Sequence, residues 1–435
     1  VNLMEWKLPA KTIFNLAQSF ISYQYVIPAS AGNYSCVFQN NQDLCNWIYF
    51  GDGSGLGICD LNYCDRYTSV IMPIKHSQEE LQGRDVSNTL YSTNQTNTQN
   101  VIPFSQDGLS AGTINSSADS YLEPQYLRFS SATNTALTVT IMLPLSTFKD
   151  TYVGLDKNSI FGRDMYLRMN TQMASRLGFY CPNPANPNQG ATAITSTGIT
   201  YNNVALYLAV QENKVIIDSL MASLMAGSIK YKIPYTYTYR YSASGSTSNM
   251  SITITRQFGH KLKRMLYAPF VGSETSNFSF DHSNVNGTKI SSFQSSIDSR
   301  PLTDYQLNCV NPNVNIFPAA TGFTATTFPF ADDYRESRKW LVGTCLPSYL
   351  SYQLNWFYQD TWGINNFMAE TTQNVDNSNI NDGLNLLDAD HVYTIQLNTP
   401  AITGANTATN NSLVNYVFAL YERNLNVSTE GISFS

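Results

Sequence analysis

Between Ile229 and Tyr241 the chain reads IKYKIPYTYTYRY, a run in which aromatic and aliphatic side chains alternate with charged and hydroxyl-bearing ones. Successive side chains of a strand point to opposite faces, so Tyr231, Ile233, Tyr235, Tyr237, Tyr239 and Tyr241 share one face. Lys230, Lys232, Thr236, Thr238 and Arg240 share the other. A strand this long with one polar face belongs to an antiparallel sheet whose polar side meets water or a subunit. Further alternating or β-rich runs occur at Leu137–Leu143, Met165–Met169, Val204–Val210, Met250–Thr255, His391–Leu397 and Leu413–Leu420.

Composition points the same way. Only 13% of the 435 residues are charged, about half the usual share, while 43% are hydrophobic and 13% aromatic. Disordered chains are poor in aromatics and rich in charge, and coiled coils need many charged helix formers, so both classes are excluded. No apolar run approaches the roughly 18–20 residues of a membrane-spanning helix. The opening Val-Asn-Leu-Met-Glu-Trp has no basic stretch followed by an apolar one, so no secretory signal is read there. The N-x-S/T sequons, as at Asn94, Asn115, Asn286 and Asn426, are no more frequent than the Asn, Ser and Thr content produces by chance.

Helical periodicity is scarce. Lys214–Ala226 (KVIIDSLMASLMA) places Ile216, Ile217, Leu220, Met221, Leu224 and Met225 on one stripe, with Asn213 as N-cap and Gly227 as the stop. Tyr349–Trp362 is a second helical candidate, although its aromatics suit a buried strand nearly as well. Val86–Ser120, Cys181–Gly190 and Asn374–Asp390 read as long polar loops. The pattern predicts an all-β chain of two consecutive sandwiches joined by a short helix, with long loop insertions. Its expected divisions are residues 1–212, the helix and linker 213–227, and 228–435.

Chemistry is hard to find in this chain. Gly51–Gly57 (GDGSGLG) lacks the Lys-Ser/Thr of a phosphate loop and reads as a surface turn. The histidines, His76, His260, His282 and His391, form no H-x-H or H-x-x-x-H pair, and the cysteines form no C-x-x-C element, so zinc is not expected. Seven cysteines leave at least one unpaired; Cys36, Cys45, Cys59 and Cys64 are read mainly as buried thiols of a reducing compartment, a local disulfide being the lesser alternative. Asp281-His282 lacks a nucleophile motif, and adjacent strand residues face opposite ways. Asp332-Asp333 and Asp388/Asp390 are read as solvated or turn-capping carboxylates, and Asp376–Gly383 is out of register for a calcium loop. The expectation is therefore no catalytic, cofactor-binding or metal-ligating residue and no cofactor. Net charge is −6, which gives no electrostatic reason to bind nucleic acid. The basic cluster His260–Arg264 reads as a solvated turn, with contact to an inner layer as the sharper alternative.

Three stretches resemble the double jelly-roll major capsid proteins of icosahedral double-stranded DNA viruses, in the virophage and polinton-like style. Leu137–Asn170 is similar to the family's strand, Leu-Pro-Leu turn and following strands. Val204–Tyr241 is similar to its closing strand, inter-domain helix and opening strand of the second roll. Leu262–Cys309 carries LKRMLYAPF and FDHSN, with Ile297–Pro301 as a loose match to a later turn, and Leu413–Asn424 is similar to the final strand. The resemblance implies a homotrimeric, hexon-like capsomer in the virion. Its partners would be neighbouring capsomers, penton and minor capsid proteins, and an inner membrane or internal proteins, without sequence-specific nucleic-acid binding. A tandem β-sandwich glycoside hydrolase or carbohydrate-binding protein is the alternative, with the acidic pairs or the tyrosine stripe as its site. A third reading is a penton or spike with one jelly roll and an appended β domain.

Overall fold

The computed structural model describes residues 3–27, 34–38, 45–55, 57–75, 89–91, 100–102, 126–131, 137–171, 179–180, 192–193, 200–227, 229–244, 247–271, 292–302, 306–308, 358–361, 383–398 and 412–434. Among them, antiparallel sheets predominate, and no sheet mixes strands from before Val210 with strands from after Ile229.

The second half is the more regular. Ile229–Ser244 pairs along its whole length with Ser412–Ser428, Thr247–Ile254 pairs with His391–Asn398, Lys261–Val271 with Tyr358–Thr361, and Ser292–Ile297 with Arg300–Pro301 and Leu307–Asn308. First therefore meets last, second meets second-to-last, and so on inward, as in one long hairpin. Two further pairings, of Lys261–Val271 with Ser412–Ser428 and of Ser292–Ile297 with His391–Asn398, fold that ribbon into two sheets. This is the jelly roll.

The first half repeats the scheme. One sheet runs Leu3–Leu8, Met165–Thr171, Cys45–Gly51, Gly57–Asn62; the other runs Thr200–Val210, Phe14–Ile27, Leu137–Pro144, Thr89–Tyr91. Leaving Gly57–Asn62 and Thr200–Val210 aside at the margins of these two sheets, the last strand again lies between the first and third, and the second-to-last between the second and fourth. The chain thus has the all-β fold of two jelly rolls joined by a helix.

Local chemistry explains several elements. Pro234 sits inside the Ile229–Ser244 strand, which lies at the end of its sheet, where a residue without an N–H is tolerated. Ile297 and Arg300 pair across Asp298-Ser299, whose φ values of 48° and 66° are those of a tight hairpin turn with the twist that strands prefer. The joining helix spans Lys214–Met225; the Asn213 side chain accepts from the Val215 N–H at 3.0 Å, and Gly227 stops it with φ 63°.

Three expectations need correction. Tyr358–Thr361, the described part of Tyr349–Trp362, is a strand, so pairing with the Lys261–Val271 strand overrides its helical spacing. Thr89–Tyr91, Asn100–Ile102 and Leu384–Asn385 are short strands inside stretches read as loops, because sheet pairing reaches polar segments that carry no hydrophobic alternation. The Cys64–Lys75 helix was not anticipated. The Ser412–Ser428 strand is followed by one more, Gly431–Phe434.

Candidate functional site

The feature that organises the molecule is the seam between the two rolls. In the Ser412–Ser428 strand every residue from Val414 to Glu422 is buried. Val417, Ala419 and Tyr421 pack inward with Tyr267, Met265 and Tyr393 in the core of the second roll. Val414, Tyr416 and Phe418, with Leu266 and Ala268, belong instead to a cluster shared with Leu61, Cys64, Tyr67, Phe148 and Val153 of the first half. A sheet covered on both faces reads as a continuous apolar run, as Leu413–Leu420 does. Tyr63 meets Tyr416 edge to face at 5.1 Å between ring centroids, and Tyr67 meets Phe418 at 5.2 Å.

Polar groups fix the register of this contact. The turn after Leu143-Pro144-Leu145 is held by its own hydroxyls: Thr147 donates to the Pro144 carbonyl, and Thr151 to that of Phe148. It presents Asp150 in a left-handed conformation, φ 57°, which Asp tolerates better than most residues. The Asp150 carboxylate accepts from the Arg264 guanidinium, and both side chains are almost wholly buried, at 6% and 1% exposed. The Asp150 carbonyl accepts from the Thr236 hydroxyl at 2.7 Å, and the Lys149 carbonyl from the Tyr67 hydroxyl at 2.9 Å. Thr238 donates to the Asn62 carbonyl at 2.8 Å. Arg423 stacks on Tyr235 and Phe434 while donating to the Gly57 carbonyl at 3.1 Å and to that of Gln257 at 3.2 Å. Gly162 lies so close to the Ser428 carbonyl and Thr429 that an added Cβ would sit 2.2 Å from that oxygen.

The basic cluster is therefore not a solvated turn. It opens the Lys261–Val271 strand, and His260, Lys263 and Arg264 turn to carboxylates of the protein itself. His260 and Lys263 share the Glu422 carboxylate at 2.9 and 3.1 Å, while Arg264 takes Asp150. Burial works against the Glu422 charge, but His260 and Lys263 outweigh it and pull the carboxyl down to about 2. Lys263 and Arg264 thus place their charges on carboxylates of the protein itself.

The other candidate residues divide plainly. Gly51–Gly57 is the connection of a hairpin, with Asp52 accepting from the Ser54 N–H at 2.9 Å and its hydroxyl at 2.6 Å. Along the tyrosine stripe, Tyr231 and Tyr235 are buried, and Tyr237 and Tyr239 are half-buried around Phe258. Burial pushes the Tyr239 hydroxyl up to about 12, and it shares a hydrogen bond with Tyr421 at 3.1 Å. The stripe is core and not an open stacking platform for sugars. Asp388 accepts from Asn385 at 2.9 Å in an exposed turn, and Asp390 is exposed beside it. His391 pairs with Asp298 at 2.6 Å, and that contact lowers the Asp298 carboxyl. Among the described residues no group of three or more His, Cys, Asp and Glu converges as a metal site. Cys45, Cys59 and Cys64 are free and buried. His76, Asp281-His282, Asp332-Asp333, Cys181, Cys309, Cys345 and the FDHSN segment lie outside the described residues. Sequence reasoning missed Asp150 and Glu422, whose partners lie 114 and 162 positions away.

Among the described residues, exposed large apolar side chains occur singly at Leu3, Leu387 and Val392 and in a group near the joining helix. Tyr207 and Val210 of the Thr200–Val210 strand are 54% and 50% exposed, and Val215 and Met225 of the adjoining helix 77% and 76%.

No protein-family profile and no curated protein sequence matches the chain. Solved structures do. The Faustovirus major capsid protein aligns with a TM-score of 0.53 at 10% identity, over 98% of this chain and 88% of its own. The mavirus major capsid protein aligns at 0.50 and 8%, over 100% and 87%. The VP54 protein of PBCV-1, in a crystal structure fitted into a reconstruction of the virophage Sputnik, aligns at 0.51 and 11%, over 100% and 97%. Such identities speak for the fold, and the fold they share with this chain is the double jelly roll.

Proposed function

We propose that this chain is the major capsid protein of an icosahedral double-stranded DNA virus. It is a structural subunit of the virion with no catalytic, cofactor-binding or metal-ligating residue. The observation that carries the reading is one strand order built twice in one chain and welded along a buried, polar-pinned seam. Likeness across nearly the whole chain to solved major capsid proteins supports it.

A subunit of this kind has to hold two sandwiches at a fixed angle, because three chains then present six sandwiches as a pseudo-hexagonal block that tiles a shell. A ring of three closes on itself, so growth stops at the capsomer before capsomers meet one another. The proposed divisions are residues 1–212, 213–227 and 228–435. The exposed Tyr207, Val210, Val215 and Met225 are the sort of surface that contacts between subunits use. With a net charge of −6, the shell encloses its genome without neutralising it, and penton, minor and internal proteins complete the particle.

Multi-angle light scattering of the purified chain tests the proposal. A mass near three times 48.5 kDa is expected. A monodisperse monomer at high protein concentration would overturn it.

A further inference from the structure

Cys45 opens the Cys45–Gly51 strand, and Cys64 opens the Cys64–Lys75 helix. Their sulfurs lie 3.4 Å apart, in van der Waals contact, in a site where Cys45 is 3% exposed and Cys64 not at all. Each thiol is parked on a carbonyl: Cys64 donates to the Cys45 carbonyl at 2.9 Å and Cys45 to that of Trp47 at 3.2 Å. Cys64 packs in the apolar cluster of the seam, but none of the seam's polar contacts described above involves either thiol. Cys59, the other buried thiol near them, has a different neighbourhood, against Thr151 and Val153.

We infer that Cys45 and Cys64 are an oxidisable pair, free in the newly made chain and convertible to a disulfide that fastens the helix to the strand. With hydrogen peroxide as oxidant, one thiolate attacks the peroxide to give a sulfenic acid and a hydroxide that leaves as water. The second sulfur then displaces the sulfenic hydroxyl, also as water, and the S–S bond forms. Two thiols and one peroxide thus become one disulfide and two waters. Sulfurs 3.4 Å apart then close to a bonding distance of about 2.05 Å. Burial pushes the Cys64 thiol well up, which disfavours its thiolate and makes the reaction slow. That slowness suits a bond formed after folding. On the capsid reading, the pair would stay reduced during assembly in the cell and oxidise in the released particle; the chemistry itself does not depend on that reading.

The test uses the purified full-length chain, incubated with hydrogen peroxide, then denatured and alkylated with N-ethylmaleimide. Intact mass should show two of the seven thiols protected, and a non-reducing peptide map should join the peptides of Cys45 and Cys64. The oxidised chain should melt roughly 5 °C higher, since the bond closes a short loop in the unfolded state. The Cys64→Ser chain should lose both the link and the shift, and Cys59→Ser should keep both. Seven alkylated thiols after prolonged exposure, or a link through Cys59 or Cys36, would overturn the inference. Because the readout is a mass and a peptide link, it stands whether the chain proves to be a trimer or a monomer.

Discussion

Ser412–Ser428 and Met165–Thr171 hold the same place in their two rolls, the former between Ile229–Ser244 and Lys261–Val271, the latter between Leu3–Leu8 and Cys45–Gly51. From Val414 to Glu422 the former is buried at every residue, whereas from Met165 to Asn170 the latter alternates buried with half-buried. The difference comes from what lies on the outer face. In the second roll that face is covered by the first half's Tyr63, Tyr67 and Asp150. In the first roll it carries Arg168 and Glu5, paired at the surface. One topology therefore serves as an inner wall in one copy and an outer wall in the other, and the two copies are not interchangeable.

The sharpest way to break that asymmetry is to remove one charge from the seam. Arg264→Ala leaves Asp150 buried opposite an alanine and should cost about 3–5 kcal/mol in urea unfolding, with the rolls losing protection together. The double variant Asp150→Ala, Arg264→Met should recover most of that loss, because the pair fixes register more than it stabilises. A full loss in the double variant would mean that the contact depends on charge.

Gly162→Val is next. Its side chain meets the Ser428 carbonyl and the Thr429 backbone, and overpacking of this kind costs about 1–3 kcal/mol. Hydrogen exchange should quicken first in Gly431–Phe434. The same substitution at exposed Gly55, where nothing lies within 4 Å, should leave exchange in Gly431–Phe434 unchanged despite its own positive φ.

Glu422 probes the interior of the second roll. Its carboxyl is held below the ordinary value of 4.5, down to about 2. A depressed carboxyl stabilises the fold above its unfolded value and loses that contribution as pH falls towards the folded one. The advantage of the native chain over Glu422→Gln, roughly 1–2 kcal/mol after allowance for solvent screening, should be full above pH 4.5. It should fade between pH 4.5 and about 2, and equal stabilities at pH 7 would refute the His260–Glu422–Lys263 arrangement. The smallest effect belongs to the joining helix: Asn213→Ala should cost about 1 kcal/mol and fray its first turn, seen as faster exchange near Val215.

The elements legible in the sequence were those whose burial is one-sided or whose ends are chemically marked. Ile229–Ser244 announced itself by alternation, and Lys214–Met225 by Asn213 and Gly227. Cys64–Lys75 lacks such marks. It starts after Tyr63, at φ 56°, and contains Thr68, Val70, Ile71 and Pro73. Its helical signal was nonetheless present, since the buried Cys64, Tyr67, Thr68 and Ile71 follow the i, i+3, i+4, i+7 spacing. The seam was illegible for a different reason. Asp150 looks like a turn residue and His260–Arg264 like a surface cluster until folding brings together charges more than a hundred positions apart, and no local pattern encodes that pairing.

A three-dimensional reconstruction by electron microscopy of the purified particle tests the central claim most directly. The account predicts six sandwich-shaped densities around a threefold axis, joined in pairs by the seam through Asp150 and Arg264. A particle of one chain, or one in which the two sandwiches of a chain are separated, would contradict it.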